Sequence, residues 1–397
     1  MEKRKDTKGR ILYTGESQRK DGRYCYKYTD RLGKAQFVYS WKLVATDRLP
    51  KGKRNGLSLR EKESEIKKDL ADGIDHNGKR MTLCALYEKQ NASRTNVKRN
   101  TEKGRNALKN ILANDVLGTR GIDTIKPSHA KEWAVRMKES GYSYKTIQNY
   151  KRSLKASFHL AMQDDYVRKN PFDFKLSDVI ADDSIRREAL SEEQEKEFLS
   201  FVRADTSYRK HYNAIVILLN TGLRISELCG LTASDLDFEK RLITIDHQLL
   251  RDSENGYYIE TPKTKKSVRQ IPMNRQALEA FQSQSVQHRD TQLPTATVDG
   301  YSGFLFLNEK GKPMHATAYS SVFSRIVKKY NQCHENPLPH ITPHILRHTF
   351  CTRLANRNMN PINLQALMGH SNISITLNLY AHSSIGEIQS EMEQLMD

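Results

Sequence analysis

The sequence predicts a multidomain chain, mainly α with small β-sheets: an N-terminal three-stranded sheet plus helix, a helical middle domain, and a mixed, mainly helical C-terminal domain. Three observations predict it. The 397 residues exceed one ordinary domain, since domains run to roughly 100–200 residues. Aromatic and polar residues alternate from Ile11 to Trp41, whereas farther along apolar residues recur at helical spacing. Two polar stretches, 73–79 and 182–187, interrupt the patterns and read as linkers. The expected domains are 1–75, 80–180 and 186–397.

In the first domain, Tyr24-Cys25-Tyr26-Lys27-Tyr28 and Phe37-Val38-Tyr39 alternate, broken by Asp21-Gly22 and Leu32-Gly33, the pattern of strands joined by tight turns. Leu59, Ile66 and Leu70, among paired charges between Ser58 and Leu70, suit one helix packed on the sheet. Tyr24, Tyr26 and Tyr28 share a face and read as core. Arg19, Lys20, Arg23 and Lys27 are then candidates to enter a DNA groove.

The middle domain should hold helices over 82–91, 100–113, 128–140 and 143–163, each with Ser, Thr or Asn at its start to serve as N-cap. In the last of them Tyr150, Leu154, Phe158 and Leu160 form an apolar stripe, and Lys145, Lys151, Arg152 and Lys155 supply positive charge. Such a face lies against phosphates or is merely solvated, and both readings stand. Asn170-Pro171 should stop the helix.

Charge narrows the partner. The chain carries 65 Lys+Arg against 47 Asp+Glu, a net +18. Residues 1–80 hold an excess of about +10 and residues 81–180 about +9, leaving the remainder near neutral. A polyanion is the fitting partner, because neutralised phosphates release their counterions. No apolar run reaches the ~20 residues that span a bilayer, and the charged N-terminus lacks a signal-like apolar stretch. The expected location is cytoplasmic, associated with the nucleoid. Five cysteines without a C-x-x-C pair read as reduced thiols rather than a disulfide framework.

Chemistry concentrates in the last domain. Arg224 follows an apolar helix that ends at Thr221-Gly222. Short strands near 242–246, 257–260 and 269–273 frame a turn with Lys263, Lys265 and Lys266. In His340-Ile341-Thr342-Pro343-His344-Ile345-Leu346-Arg347-His348-Thr349-Phe350, Thr342 caps a helix and Pro343 suits its first position. His344 and Arg347 then fall three apart on one face, a pairing suited to phosphate: arginine binds two oxygens and histidine exchanges protons near neutrality. Met368-Gly369-His370 closes one helix, and Thr376 to His382, with Tyr380 inside, opens another.

The order Arg224, a hairpin lysine, His344-x-x-Arg347, Gly369-His370 and Tyr380 resembles the tyrosine recombinase (phage integrase) family over roughly residues 82–397. Leu346-Arg347-His348-Thr349-Phe350 looks like its L-R-H-T-F box, and Thr221-Gly222-Leu223-Arg224-Ile225-Ser226-Glu227-Leu228 like its first arginine box. The first domain further resembles the arm-site-binding domain of conjugative-transposon integrases. The resemblance implies that Arg224 and Arg347 clamp the scissile phosphate, and that Lys263 protonates the leaving 5′ oxygen, Lys265 and Lys266 being alternatives. It implies proton transfer by His344, a phosphate hydrogen bond from His370 and attack by Tyr380 to give a 3′-phosphotyrosine. No metal or nucleotide cofactor is implied. Implied partners are double-stranded DNA, three further protomers in a tetramer held by the C-terminal tail, an excision factor and a DNA-bending protein. Ile385, Ile388, Met392 and Leu395 among Glu387, Glu391 and Glu393 make that tail an expected amphipathic helix.

Three rivals are weaker. A metal enzyme would use His340, His344 and His348, but Pro343 breaks their shared helix and no H-E-x-x-H or C-x-x-C motif completes the set. A non-catalytic DNA-binding regulator would not need every catalytic residue type in order. A type IB topoisomerase shares the phosphotyrosine chemistry but has no use for a second DNA-binding module.

Overall fold

The structure of the chain, a computed structural model, describes residues 4–30, 33–71, 81–95, 97–184, 188–252, 254, 256–261, 268–290, 296–377 and 380. It divides into two compact units, Met1–Ile185 and Arg186–Asp397. The stretch 73–79 and residues 185–187, expected as linkers, lie outside the described residues.

The first unit contains two separate apolar clusters. Strands β1 (Glu16–Gln18), β2 (Tyr24–Thr29) and β3 (Ala35–Ser40) form an antiparallel sheet in sequence order. Gly22 turns β1 into β2 at φ +83°, a conformation that favours glycine. Successive side chains alternate faces, so Tyr24, Tyr26 and Tyr28 are buried together against Leu59 and Ile66 of α1 (Leu59–Ala71). The opposite face pairs Lys27 with Phe37 and Cys25 with Tyr39.

The second cluster gathers α2 (Leu83–Ala92), α3 (Arg99–Ala113), α4 (Pro127–Glu139) and α5 (Tyr144–Gln163) around Trp133, Phe158 and Phe172. Thr82 accepts from Ala85 N, and Ser143 accepts from Thr146 N, caps worth about 1 kcal/mol each. The buried stripe of α5 runs through Ile147, Leu154, Phe158 and Ala161. This helix ends at Gln163, as its expected range has it, ahead of Asn170-Pro171. Asp165 takes φ +56°, a left-handed turn that reverses the chain, and Asn170 instead donates to the Lys155 carbonyl.

In the second unit α6 (Glu192–Ala204) opens on a capping box, Ser191 with Gln194. Helix α7 (Tyr212–Thr221) is buried from Asn213 to Thr221, which explains its unbroken apolar run. After it come α8 (Ile225–Gly230), β4 (Leu236–Asp237), β5 (Leu242–Ile245), β6 (Gln248–Asp252), β7 (Gly256–Glu260), β8 (Arg269–Pro272), α9 (Arg275–Asp290) and α10 (Ala316–Cys333). Among the described residues, α11 (Pro343–Asn356), α12 (Pro361–Met368) and α13 (Ile373–Leu377) follow. The three expected strands are present, but β6 was not foreseen and it changes the topology. Strand β7 pairs with β6, and β8 pairs with β5. The segment 262–267 therefore joins two sheets rather than two strands of one hairpin. Lys263, Lys265 and Lys266 lie outside the described residues, as does the expected tail helix from Ile385 to Leu395.

All five cysteines are free thiols. No described helix is long and apolar enough to cross a membrane.

Candidate active site

Two glycine turns organise the site. Helix α7 stops at Gly222, φ +63°, where a Cβ would come within 2.4 Å of Phe350 Cδ1. Helix α12 stops at Gly369, φ +61°. Each glycine N–H bonds a carbonyl of its own helix, and the final carbonyls, at the negative end of the helix dipole, are left for other donors. Arginines fill them.

Arg347 rises from α11 beneath both turns and is 5% exposed. Its Nη1 donates to the Gly222 carbonyl and its Nη2 to the Met368 carbonyl. Arg224, the residue that caps α8, donates from Nη2 to the Gly369 carbonyl at 3.0 Å. Its backbone N–H and Nη1 both donate to Glu227, at 2.8 and 2.7 Å. Arg269, on β8, donates from Nε to the Leu367 carbonyl at 2.9 Å. Three successive carbonyls, Leu367, Met368 and Gly369, thus accept from three different arginines.

The electrostatic consequence is a concentration of positive charge. Glu227 is the buried carboxylate among these groups; burial would raise its pKa, but Arg269 and Arg224 hold it down at about 2. Burial, together with Arg224 and Arg269, pushes the Arg347 guanidinium down to about 9. Burial first, then Arg347, Arg224, Arg269 and His344, push His370 down to about 4. Its ring is thus neutral near pH 7. Nδ1 of that ring lies 3.0 Å from Thr376 Oγ1, so if the hydroxyl donates, the proton rests on Nε2. A cluster that disfavours further positive charge this strongly is a place for an anion.

His344 sits exposed on the first turn of α11, which Thr342 caps through Ile345 N with Pro343 at its first position. Tyr380 is placed differently. Its hydroxyl donates to the Met359 carbonyl, in the turn between α11 and α12, and its ring packs on the cluster of Phe350, Cys351, Ala355, Leu364 and Met368. Burial and the nearby Cys351 raise its pKa. The structure thus joins Arg224, Arg347 and His370 through two turns, while Tyr380 hangs on the turn beside them.

Sequence reasoning missed Arg269 altogether and quoted Glu227 without a role. A signal was present: Arg269, Ile271 and Met273 alternate onto one strand face, and all three are buried, so a charge there demands a partner.

Among the described residues, the side chains that meet as a possible metal-ligand set are Asp235, Asp246 and His247, not His340, His344 and His348. His247 directs Nδ1 at Asp246 Oδ1, 2.6 Å away, and Nε2 at the Gly230 carbonyl, 2.7 Å away. Protein acceptors occupy both ring nitrogens.

The surface candidates divide. Arg19 and Arg23 lie over the Tyr39 ring, Arg23 and Lys53 over Trp41, and Lys27 over the exposed Phe37; Lys20 is exposed. On α5, Lys145 and Arg152 are exposed. Lys151 is turned back onto the Phe174 carbonyl and ring, and Lys155 onto Asp173 at 2.5 Å.

Comparison with known proteins finds matches over almost the whole chain. Residues 188–387 match the phage integrase family, and residues 1–70 match the DNA binding domain of Tn916 integrase. The chain is 60% identical to the transposase from transposon Tn1545 of Streptococcus agalactiae over 394 residues, 99% of this chain and 97% of that protein. Identity and coverage are the same for the transposase from transposon Tn916 of Enterococcus faecalis. A solved structure of the Tn1549 transposon integrase in complex with a circular intermediate DNA superposes with a TM-score of 0.76 at 57% identity, covering 79% of this chain and 99% of that one.

Proposed function

The chain belongs to the phage integrase family of tyrosine recombinases, and from that premise we propose that it integrates and excises a conjugative transposon, cutting and rejoining DNA through a 3′-phosphotyrosine at Tyr380. The carrying observation is the arginine cluster on the Gly222 and Gly369 turns, which holds Arg224 and Arg347 beside a neutral His370. The relative from transposon Tn1549 is described in complex with a circular intermediate DNA, and that is the substrate class proposed here.

In this reading the two guanidinium groups take the non-bridging oxygens of the scissile phosphate and stabilise the charge that builds in its pentacoordinate transition state. His370 donates from Nε2 to the same phosphate. His344 exchanges the proton of the attacking or departing oxygen, and Lys263 protonates the 5′ oxygen as it leaves. Tyr380 leaves the Met359 carbonyl to attack. The phosphotyrosine conserves the energy of the broken diester, so the 5′ hydroxyl of a partner strand reverses the step, and two rounds pass through a four-way junction.

Residues 1–75 act as the arm-type DNA-binding domain, 80–180 as the core-binding domain and 186–397 as the catalytic domain. Arg19, Arg23 and Lys27 over the aromatic rings of the sheet and the exposed Lys20 beside them, with Lys145 and Arg152 on α5, contact DNA; most of these contacts set position rather than sequence choice. Four protomers assemble on DNA through the acidic tail. A cavity of about 530 Å³ with Leu305, Phe306 and Val322 in its floor and Lys310 and Arg325 at its rim suits such a segment. An excision factor and a DNA-bending protein complete the assembly at the nucleoid.

The test is covalent trapping on nicked duplexes carrying the end of the element that encodes this chain, so that the cleaved fragment diffuses away. A denaturation-resistant protein–DNA band is expected in chelator with the unaltered chain and not with Tyr380→Phe. A band that persists in the variant overturns the assignment of the nucleophile.

A further inference from the structure

Resting on that reading of Arg224 and His370, we propose that Arg269 is a positioning residue, which sets Arg224 and His370 on the scissile phosphate by tying the last turn of α12 to the Glu227 carboxylate. It sits on the inner face of β8, 9% exposed. A guanidinium so buried is retained only where its N–H groups find acceptors. Those acceptors come from two other elements. Glu227 of α8 takes Nη1 at 3.0 Å and Nη2 at 2.8 Å, a bidentate fork, and Leu367 of α12 takes Nε at 2.9 Å.

Both anchors adjoin the proposed chemistry. Oε1 of Glu227 accepts from Arg269 and also from Arg224 Nη1, and Oε2 accepts from the Arg224 backbone N–H. Leu367 stands three residues before His370 in a turn whose other two carbonyls hold Arg347 and Arg224. Gly369 closes over the Arg269 guanidinium so tightly that a Cβ there would lie 3.2 Å from its Nη1. Arg269 therefore joins Arg224 and Arg347 in tying the first arginine box to the histidine turn, and it does so from the buried side.

Charge works in the same direction. Arg269 neutralises Glu227 from the buried side, which leaves the charge of Arg224 for the phosphate. Without it, Glu227 would compete with the phosphate for Arg224. Buried beneath the turn, Arg269 acts through these groups rather than on the DNA.

The experiment measures single-turnover cleavage by the full chain on the nicked duplex, with a normal scissile phosphate or a methylphosphonate in which one charged oxygen is replaced. Arg269→Met should slow cleavage of the normal substrate on the order of 100-fold, the scale of a small misplacement of reacting groups, while the DNA Kd stays within about twofold. Arg269→Lys keeps the charge without the fork and should fall between the two. On the neutral phosphonate the losses of Arg269→Met and of an Arg224→Ala control should shrink together, because there is less charge to hold. If the Arg224→Ala loss shrinks and the Arg269→Met loss does not, Arg269 is merely structural and the proposal fails. If the Arg224→Ala loss itself persists, the reading of Arg224 as a phosphate clamp fails. Should Arg269→Met not fold, Arg269→Lys carries the same comparison.

Discussion

Arg347 and Tyr380 each end on a backbone carbonyl, and the two contacts have opposite consequences. Arg347 is 5% exposed and holds the carbonyls of Gly222 and Met368, so its position is set by the ends of two helices before any DNA arrives. Tyr380 gives its hydroxyl proton to the Met359 carbonyl, a contact it must give up to act as the nucleophile proposed above. The half of the site proposed to bind phosphate is preorganised, where electrostatic stabilisation is most effective. In the proposed reading, Tyr380 rests on the turn between α11 and α12 until it is released to attack.

The largest expected effects break that comparison open. Tyr380→Phe should abolish covalent adduct while the unfolding midpoint barely moves, since one hydrogen bond contributes about 1 kcal/mol. Arg347→Ala should slow cleavage by roughly 10²–10³, the range for removing one preorganised donor. It should also lower the midpoint clearly, because two buried carbonyls lose their partner at about 1–3 kcal/mol each. Trapping assays paired with thermal unfolding read both quantities. A Tyr380→Phe chain that unfolds as early as Arg347→Ala would show that the Met359 contact is part of the framework rather than a restraint on the nucleophile.

The difference also separates what a sequence reveals from what it hides. Helix caps were legible because they are local: Thr342 with Pro343, and Gly222 and Gly369 at helix ends, are each decided within four residues. The boxes around Arg224, Arg347 and His370 were legible by resemblance. Pairing between distant segments was not. That β8 returns to β5, across the intervening β6–β7 hairpin, depends on a partner tens of residues away, and alternation marks a strand without naming its neighbour. Arg269 was lost for the same reason, since its meaning lies in Glu227 and Leu367. Lys151 and Lys155 read as a basic helix face, and the loop that occupies them, 173–174, follows only once Asp165 has turned the chain back.

A middle-sized effect uses pH to sharpen the comparison. His370 and His211 are both pushed down to about 4, His211 by burial first and then by Lys210 and Arg325. A histidine whose folded pKa lies below its unfolded value of about 6.5 leaves the unfolded state binding more protons between the two. Stability should therefore be full above about pH 6.5 and fall as pH drops towards 4. DNA should then distinguish the two rings. A phosphate among Arg224, Arg347 and His370 offsets their field and should raise the His370 pKa by about one unit or more, leaving His211, at the opposite end of the α7 helix, where it was. Histidine titration by NMR with and without the nicked duplex reads this directly. Equal shifts at both rings would mean that the phosphate does not sit in the arginine cluster.

The smallest effect tests the same contrast, free against already engaged, among the lysines. Lys27 projects from the exposed sheet face over Phe37, whereas Lys151 is half-buried on the Phe174 carbonyl and ring, where burial and Lys155 lower its pKa. A lysine that neutralises a phosphate contributes about one unit to the slope of log binding constant against log salt. Lys27→Ala should therefore flatten that slope by about one on an arm-type duplex. Lys151→Ala should leave the slope on a core-type duplex unchanged and instead lower the thermal midpoint, because it removes a buried stem and an acceptor's partner. A Lys151→Ala chain with a flattened slope would mean that DNA pulls this lysine off its loop, and that engagement in the free protein does not mark a side chain as structural.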